Sequence, residues 1–258
     1  MCLDRLVTFG RLALGVAFVG FGALHLVHGD FVTRVLPWWP DGWPLRAVWA
    51  SAFGVVMAAA GAALIFDYRT HSVASALGIA SLVSLVALGL PLAATDAAWG
   101  GLWTVAGKIA ALAGGALLLA RATARDRQGR TTAAARLWPA APWLFGGFLA
   151  LCGVQHFVHV EFVTTLVPGW VPGARAWTYL TGVALVAGGI GVIVPATARL
   201  AGLLSAAMIF IWLIVLHIPR AWIAVPPAGN ELVAVFEALA MSGIAGLVAA
   251  TRTVPRRG

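Results

Sequence analysis

The stretch HLVHGDFVTRVLPWW, residues 25–39, returns 131 residues later as HFVHVEFVTTLVPGW, residues 156–170. Eight of the fifteen positions are identical, and Asp30 is replaced conservatively by Glu161. A chain that repeats itself at a fixed spacing is commonly built from two copies of one unit. Each copy places two histidines and an acid at the same point of an otherwise apolar stretch. The repeat therefore predicts both a duplicated architecture and the places where polar residues enter it.

The composition predicts a protein that lies in a lipid bilayer. Of the 258 residues, 61% are hydrophobic and only 10% are charged, whereas soluble domains carry about 25% charged residues. The net charge of +8 could indicate nucleic-acid binding, but the basic residues lie in the gaps between apolar runs, where they direct topology. We therefore predict the bilayer, and no nucleic acid, as partner. Cys2 and Cys152 lie far apart, which argues against a disulfide framework or a CxxC redox pair.

Eight apolar runs are long enough to cross a bilayer, which takes about 20 mostly apolar residues. They are residues 7–28, 46–66, 72–93, 98–120, 141–159, 176–195, 200–218 and 231–250. The predicted fold is an all-α membrane protein with eight transmembrane helices, arranged as two parallel four-helix-bundle repeats. The repeats cover residues 1–120 and 139–258, with a basic cytoplasmic linker at 121–138. Because each unit has four spans, both units have the same orientation about an axis along the membrane normal.

Further pairs of residues support the duplication with an offset of 128. These pairs are Trp49 with Trp177, Gly54 with Gly182, Gly61 with Gly189, and Pro91 with Pro219. Their smaller offset means that the first unit carries three extra residues before its second helix. Small residues are dense in the spans, which allows close helix packing in lipid.

The arginines predict the orientation. With a cytoplasmic N-terminus, the inner segments hold 12 arginines and the outer segments hold 4. The positive-inside rule then places both termini in the cytoplasm, and we expect a bacterial inner membrane. The outer loops LPWWPDGWP, residues 36–44, and VPGWVPGARAW, residues 167–177, are rich in tryptophan and proline. We expect them in the outer headgroup layer, where they could also bind a periplasmic partner.

The histidines of the repeat form the first candidate site. His25 and His28, like His156 and His159, are three residues apart, so both rings of a pair share one helix face. They could hold a polar headgroup, ligate a metal or haem, or simply anchor the loop that follows. Asp30 or Glu161 would orient a ring or add an oxygen ligand.

Three more ionisable residues lie inside the predicted spans. Lys108 occupies about the centre of the fourth span, about 15 Å deep, and Glu237 takes the corresponding place in the eighth. They would form a buried ion pair between the two units, or one of them would bind a substrate or carry a proton. His217 lies near the outer end of the seventh span. His71, in an inner turn, is expected to be solvated.

The segment GVQHFVHVEFVTTLVPGWVPGARAWTYLTGVALVAGGIG, residues 153–191, resembles the first two helices of the DoxX-like membrane proteins. GALHLVHGDFVTRVLPWWP, residues 22–40, with SAFGVVMAAAG, residues 51–61, is similar to them to a lesser degree. The resemblance implies two tandem four-helix units and, for a few family members, quinone-linked redox chemistry. Many relatives carry a glutamate on the second helix where this chain has Met57 and Leu185, so a role that depends on that acid is not implied.

The sequence thus predicts an integral membrane protein that binds a small amphiphilic ligand, a quinone or a lipid, near the outer leaflet. The expected ligand-binding residues are Lys108, His156, His159, His217 and Glu237. An enzymatic role would be quinone-linked redox chemistry in which histidine and Glu237 handle protons. One alternative is a metal or haem site formed by His25, His28, His156 and His159. Another is a non-catalytic membrane anchor for a periplasmic protein.

Overall fold

The computed structural model describes residues 2–32, 34, 44–124, 132–223 and 229–251. Within these ranges every regular element is helical, and there is no strand. Eight of the helices are long and apolar enough to cross a membrane, which confirms the predicted all-α membrane protein with eight spans. The tryptophan-rich loop 36–44 lies outside the described residues except for its last residue, Pro44.

The eight spans lie close to their predicted positions. Span 1 is Cys2–His28, span 2 Arg46–Ile65, span 3 Thr70–Ala93, span 4 Gly101–Thr123, span 5 Ala133–Val158, span 6 Ala174–Ile193, span 7 Ala198–Ile223 and span 8 Gly229–Thr251. A short helix, Val160–Leu166, follows span 5. The segment 121–138, predicted as a linker, includes the end of span 4 and the first turn of span 5, and its residues 125–131 lie outside the described residues.

Corresponding spans of the two groups of four make corresponding contacts. Span 1 lies against span 2 and span 8, whereas span 5 lies against span 6 and span 4. Spans 3 and 4 also pair, as do spans 7 and 8, and spans 4 and 8 contact each other. The first span of each predicted unit therefore packs against the second span of its own unit and also against the last span of the other unit, so the two groups of four spans are interlocked. Their origin as two repeats stays a prediction from the sequence.

Glycines bring the first two spans of each group into close contact. A Cβ atom on Gly61 would lie 2.5 Å from the carbonyl oxygen of Gly15, and a Cβ atom on Gly189 would lie 2.5 Å from that of Gly146. Any side chain at these positions would push the backbones apart. In lipid, where apolar burial does not drive helices together, this close approach supplies van der Waals contact. Gly15 and Gly146 are 131 residues apart, and Gly61 and Gly189 are 128 residues apart. These are the two offsets that relate the repeats in the sequence.

The core lies where spans 1, 4 and 8 meet. Phe21, Leu117 and Ile244 are among its fully buried side chains. Spans 2, 3, 6 and 7 carry many exposed apolar residues, such as Val56 and Leu204. An exposed apolar belt is what acyl chains cover in a bilayer, where eight helices satisfy their backbone hydrogen bonds internally.

The histidine segments end differently in the two groups. Gly29 has a φ of 61° and directly follows the last residue of span 1. Glycine adopts this left-handed conformation without steric cost, so it commonly follows a helix end. The equivalent residue after span 5 is Val160, which begins the short helix Val160–Leu166. A valine has no such freedom, and the chain continues as a helix after a break at His159.

Candidate functional site

A cavity of about 780 Å³ lies at the end of the bundle where odd-numbered spans end and even-numbered spans begin. Its wall comes from spans 4 to 8, from the short helix Val160–Leu166, and from Arg34 in the segment after span 1. Phe148, Leu185 and Met241 are among its apolar lining residues. Its volume falls in the range of about 300–1,000 Å³ that is typical of small-molecule sites.

All five residues predicted to bind a ligand line this cavity. They are Lys108, His156, His159, His217 and Glu237. They come from span 4, span 5 and the break after it, span 7 and span 8, so only the packing of the spans brings them together. The cavity is therefore the candidate functional site.

Glu237 is the centre of a buried charge cluster on the cavity wall. Its Oε2 atom accepts a hydrogen bond from Lys108 Nζ at 2.7 Å and a longer one from Arg34 Nη2 at 3.3 Å. The side chains of Lys108 and Glu237 are only 12% and 10% exposed. The Lys108–Glu237 pair was one of the two alternatives that the sequence left open. Arg34 was missed, because a loop arginine gives no local signal of a partner 203 residues away.

The charge cluster lies nearer the end of the bundle than the sequence predicted. Span 4 begins at Gly101, so Lys108 lies about 10 Å along it at about 1.5 Å per residue. The apolar run begins earlier, at residue 98, but Asp96 holds this segment in a turn. Its carboxylate accepts hydrogen bonds from the backbone N–H groups of Ala98 and Gly100 at 3.2 and 2.9 Å. The predicted depth of about 15 Å was therefore too large.

Arg220 and Glu231 form a second ion pair on the cavity wall. Arg220 donates from Nη2 and Nε to the two carboxylate oxygens of Glu231 at 2.9 and 3.2 Å. Such a two-point contact fixes the relative orientation of the groups as well as their distance. It ties the end of span 7 to the start of span 8. From the sequence, Arg220 was expected only to contribute to topology, and Glu231 was not predicted as a site residue.

The histidines of the repeat bond to their own helices. The Nδ1 atom of His156 lies 2.7 Å from the carbonyl oxygen of Cys152, and that of His25 lies 2.8 Å from the carbonyl oxygen of Phe21. A carbonyl oxygen only accepts, so Nδ1 carries the proton and Nε2 of the neutral ring is an acceptor. His159 Nε2 is buried without a hydrogen-bond partner among the described residues. The cavity wall thus carries imidazole nitrogens that the protein's own backbone does not use.

His217 is the last residue of a π turn in span 7. The N–H of Ile218 bonds to the carbonyl of Leu213, five residues back, instead of four. Pro219 follows directly; it has no N–H, and its ring clashes with the carbonyl four residues before it. A regular α-helix cannot pass this point, and the wider turn places an imidazole on the cavity wall. Turns of this kind are frequent at functional sites.

Span 3 contains the same turn without the histidine. The segment Leu85–Gly89 is a π turn, and Pro91 follows it at the equivalent place. Gly89 stands where His217 stands in span 7. The backbone geometry therefore follows from the proline in both spans, whereas the functional group is present in only one.

Gln155 fixes one edge of the cavity. Its Nε2 atom donates to the carbonyl oxygens of Trp99 and Gly100 at 2.7 and 2.9 Å, and its Oε1 accepts from the Thr104 hydroxyl at 2.9 Å. Gln155 is buried, and these contacts join span 5 to the start of span 4. Gln155 was not predicted from the sequence as a site residue, because one glutamine beside a histidine has no diagnostic spacing.

Aromatic rings fill the equivalent space in the first group of spans. His25 is completely buried, and its ring centroid lies 5.2 Å from that of Phe53 and 6.1 Å from that of Phe31. Phe31 itself is buried, with Ala50, Phe53 and Leu88 in the same apolar cluster. His25 is thus a structural residue, packed edge-on against phenyl rings.

Two differences leave the corresponding space open in the second group. Counting with the offset of 128 places Thr181 where Phe53 stands, and Thr181 lines the cavity. Counting with the offset of 131 places Phe162 where Phe31 stands, but Phe162 is 66% exposed. One phenyl ring is therefore absent, and the other lines the cavity but is largely exposed instead of buried, which leaves room beside His156.

The structure does not bring the four predicted metal ligands together. His25 is buried among phenyl rings, His28 is exposed, and only His156 and His159 line the cavity. Over the part of the chain that the structure describes, no group of three or more His, Cys, Asp or Glu residues could hold a metal ion. The physical reason is that the rings turn toward their own helices; His28 Nδ1, for example, lies 2.8 Å from the carbonyl oxygen of Leu24.

The two acids expected to orient the histidines bind arginines instead. Asp30 accepts a hydrogen bond from Arg46 Nε at 2.6 Å, and Arg46 holds the pKa of the Asp30 carboxyl below its ordinary value. Glu161 pairs with Arg175 at 2.9 Å on the exposed surface. The opposite charges of arginines at the start of the following spans outcompete neutral imidazoles for these carboxylates.

The expectation that His71 is solvated was wrong. His71 is half-buried, and its Nδ1 atom lies 2.8 Å from the carbonyl oxygen of Ala120. Its ring stands edge-on to that of Trp138, with the centroids 6.5 Å apart. The residue joins spans 3, 4 and 5 at the end of the bundle opposite the cavity.

Comparison with known proteins identifies one similarity. A family model described as a domain of unknown function, DUF8561, matches residues 145–254. The match covers the second half of span 5 and all of spans 6 to 8, and therefore most of the cavity wall except Arg34 and the residues at the start of span 4. No curated protein matches the chain. No solved structure matches it either.

Proposed function

We propose that this protein is an integral membrane protein that binds a small amphiphilic ligand, a quinone or a lipid, in the cavity between spans 4 to 8. The observation that carries the proposal is that five polar residues from separate segments line one cavity whose remaining wall is largely apolar. An amphiphile needs this combination, since its tail requires an apolar wall and its head requires a few placed polar groups.

The arrangement along the spans supports an amphiphile rather than a wholly polar solute. Arg220 and Glu231 lie near the ends of their spans, whereas Lys108 and Glu237 lie about two turns further in. Trp177 and Trp212 also line the cavity, with their rings edge-to-face at 6.2 Å. Tryptophan prefers the membrane interface, so these rings fit an entrance at the level of the headgroups.

The topology and the family resemblance belong to the same proposal. The excess of arginines in one set of loops supports cytoplasmic termini in a bacterial inner membrane, with the cavity toward the outer leaflet. The resemblance to DoxX-like proteins supports quinone-linked redox chemistry as a possible activity, in which the histidines and Glu237 would handle protons. A periplasmic partner bound through the tryptophan-rich loops stays a prediction.

Substitution of Thr181 with Phe tests the proposal. The added phenyl ring would occupy the cavity beside His156 as Phe53 occupies the space beside His25. We expect wild-type protein, purified in mild detergent, to retain about one quinone or lipid molecule per chain, since sites of this size hold one small molecule. T181F should lose it. Solvent extraction followed by mass spectrometry measures the retained molecules.

Leu180→Phe is the matched control, because it adds the same ring to the neighbouring residue of span 6. Leu180 is 57% exposed and does not line the cavity. L180F should therefore retain the ligand at the wild-type level. If wild type, T181F and L180F release the same molecules in the same amounts, the cavity is not the binding site and the proposal fails.

A further inference from the structure

We infer that the ligand is an amphiphile with an anionic headgroup, a carboxylate or a phosphate, and that Arg34 binds this headgroup. The inference rests on the proposed function and narrows the class of ligand. It depends on the balance of charges around the cavity and on the hydrogen bonds that Arg34 makes to other described residues.

The cavity wall carries more positive than negative charge. Of the described residues that line it, three are cations, namely Arg34, Lys108 and Arg220, and two are carboxylates, namely Glu231 and Glu237. The histidines add no negative charge. Positive charge therefore exceeds negative charge by one in a largely apolar surrounding.

Among the described residues, no acid just outside the cavity wall pairs with one of its cations. Asp96 lies near the edge of the cavity and keeps its negative charge, but its carboxylate is held by the backbone N–H groups of Ala98 and Gly100 and not by a cation of the wall. Asp30 pairs with Arg46, and Glu161 pairs with Arg175. Each of these acids already has a partner of its own.

Arg34 is the cation with the most unused binding capacity. Lys108 lies 2.7 Å from Glu237, and Arg220 makes a two-point contact with Glu231. Arg34 reaches Glu237 at 3.3 Å, through the same carboxylate oxygen that Lys108 already holds. A guanidinium has five N–H donors, and this contact uses one of them. Its side chain is 36% exposed, so a ligand in the cavity can reach the others.

An anionic headgroup satisfies both conditions. An unpaired charge in an apolar surrounding is costly, and an anion with hydrogen bonds to it removes that cost. Carboxylate and phosphate oxygens match the planar guanidinium fork, which can bind two of them at once. The apolar tail would lie against residues such as Leu149, Leu185 and Met208, which line the same cavity. A neutral headgroup would leave the excess charge in place.

Binding to the full-length protein in nanodiscs of phosphatidylcholine tests the inference. The probes are palmitate, hexadecyl phosphate and hexadecanol, which share a sixteen-carbon tail, with acetate and inorganic phosphate as headgroups without a tail. We expect the two anionic amphiphiles to bind at least about tenfold more tightly than the alcohol, which is a difference that one charge-assisted contact can supply. Acetate and inorganic phosphate should not bind measurably, because they lack the tail.

Variants of Arg34 then identify the residue responsible. Arg34→Gln should abolish the preference for the anions while leaving the affinity for hexadecanol unchanged, and Arg34→Lys should restore part of the preference. Arg46→Gln is the matched control, because Arg46 pairs with Asp30 outside the cavity and should leave the preference intact. Thermal unfolding of each variant checks that the protein remains folded.

The outcomes separate this inference from the proposed function. If hexadecanol binds as tightly as palmitate, or if R34Q keeps the preference, the inference is wrong while an amphiphile site remains. If none of the long-chain probes binds and T181F changes nothing, the proposed function fails and this inference fails with it. If acetate or inorganic phosphate binds as tightly as palmitate, the site recognises a free anion and the inference is also wrong.

Discussion

Glu237 is the counter-charge of two cations, the buried Lys108 and the partly exposed Arg34. Its carboxylate lies 2.7 Å from Lys108 and 3.3 Å from Arg34, although Arg34 follows span 1 and Lys108 lies in span 4. Such a cluster is stable only while the charges are paired, because Lys108 and Glu237 have lost most of their hydration.

Replacing Glu237 with Gln should destabilise the protein. Lys108 and Arg34 would lose their counter-charge in an apolar surrounding, and we expect the free energy of unfolding to fall by about 3–5 kcal/mol. The double substitution K108M/E237M removes both charges of the shorter pair at similar volume and should recover most of this loss. Unfolding by SDS in mixed micelles measures both variants. An E237Q protein as stable as wild type would show that the cluster is hydrated and not buried.

At the scale of the element, the same backbone arrangement serves two purposes. Spans 3 and 7 share a π turn before a proline, and spans 1 and 5 share a histidine bonded to the carbonyl four residues back. Phe53 fills the space beside His25, whereas Thr181 leaves the space beside His156 open. The side chain at this position of each second span, together with the placement of Phe31 and Phe162, thus decides whether the space is core or cavity.

Phe53→Thr should therefore cost stability without adding a binding site. Removing the ring leaves a void beside His25, and large-to-small changes of this kind cost about 3–5 kcal/mol. Retained ligand should stay at the wild-type level, because Leu24 and Gly89 stand where the second group has Gln155 and His217. Unfolding experiments and solvent extraction measure the two quantities. Phe66→Thr is the control, because Phe66 is 81% exposed, and it should change neither the stability nor the amount of retained ligand. An F53T protein as stable as wild type would contradict the packing role of Phe53.

At the scale of the whole molecule, the two groups of four spans stabilise each other. Span 1 packs against span 8 as well as span 2, and span 5 packs against span 4 as well as span 6, so each group contains only one of the two main partners of its own first span. The cavity shares this dependence, because Lys108 comes from one group and Glu237 from the other. Separate four-helix bundles joined by a linker would not have this property.

Splitting the chain between residues 128 and 129 tests this dependence. We expect fragments 1–128 and 129–258, expressed together, to associate in the membrane and to co-purify through a tag on one of them. Each fragment expressed alone should aggregate or be degraded, because its first span would expose the surface that the other fragment covers. Recovery of either fragment as a folded, monodisperse protein would contradict the interlocked arrangement. An undivided chain carrying the same tag is the control for expression.

Much of the architecture was predictable from the sequence because a lipid bilayer permits few backbone structures. A chain in the bilayer must satisfy its backbone hydrogen bonds internally, so apolar runs of about 20 residues become helices and can be counted. The eight spans were identified in this way, and the boundary of span 4 was misplaced only where Asp96 holds a turn. The cost of burying a charge likewise singled out Lys108 and Glu237.

The sequence by itself determined the number of spans and the spacing of the repeat, and it identified five of the polar residues that line the cavity. Only the tertiary structure decided that Arg34 reaches Glu237, that Arg220 binds Glu231, and that Phe53 fills one space while Thr181 leaves the other open. The physical reason is the distance along the chain over which each property acts. Hydropathy and periodicity are properties of neighbouring residues, whereas an ion pair or a cavity depends on which surfaces of distant spans meet.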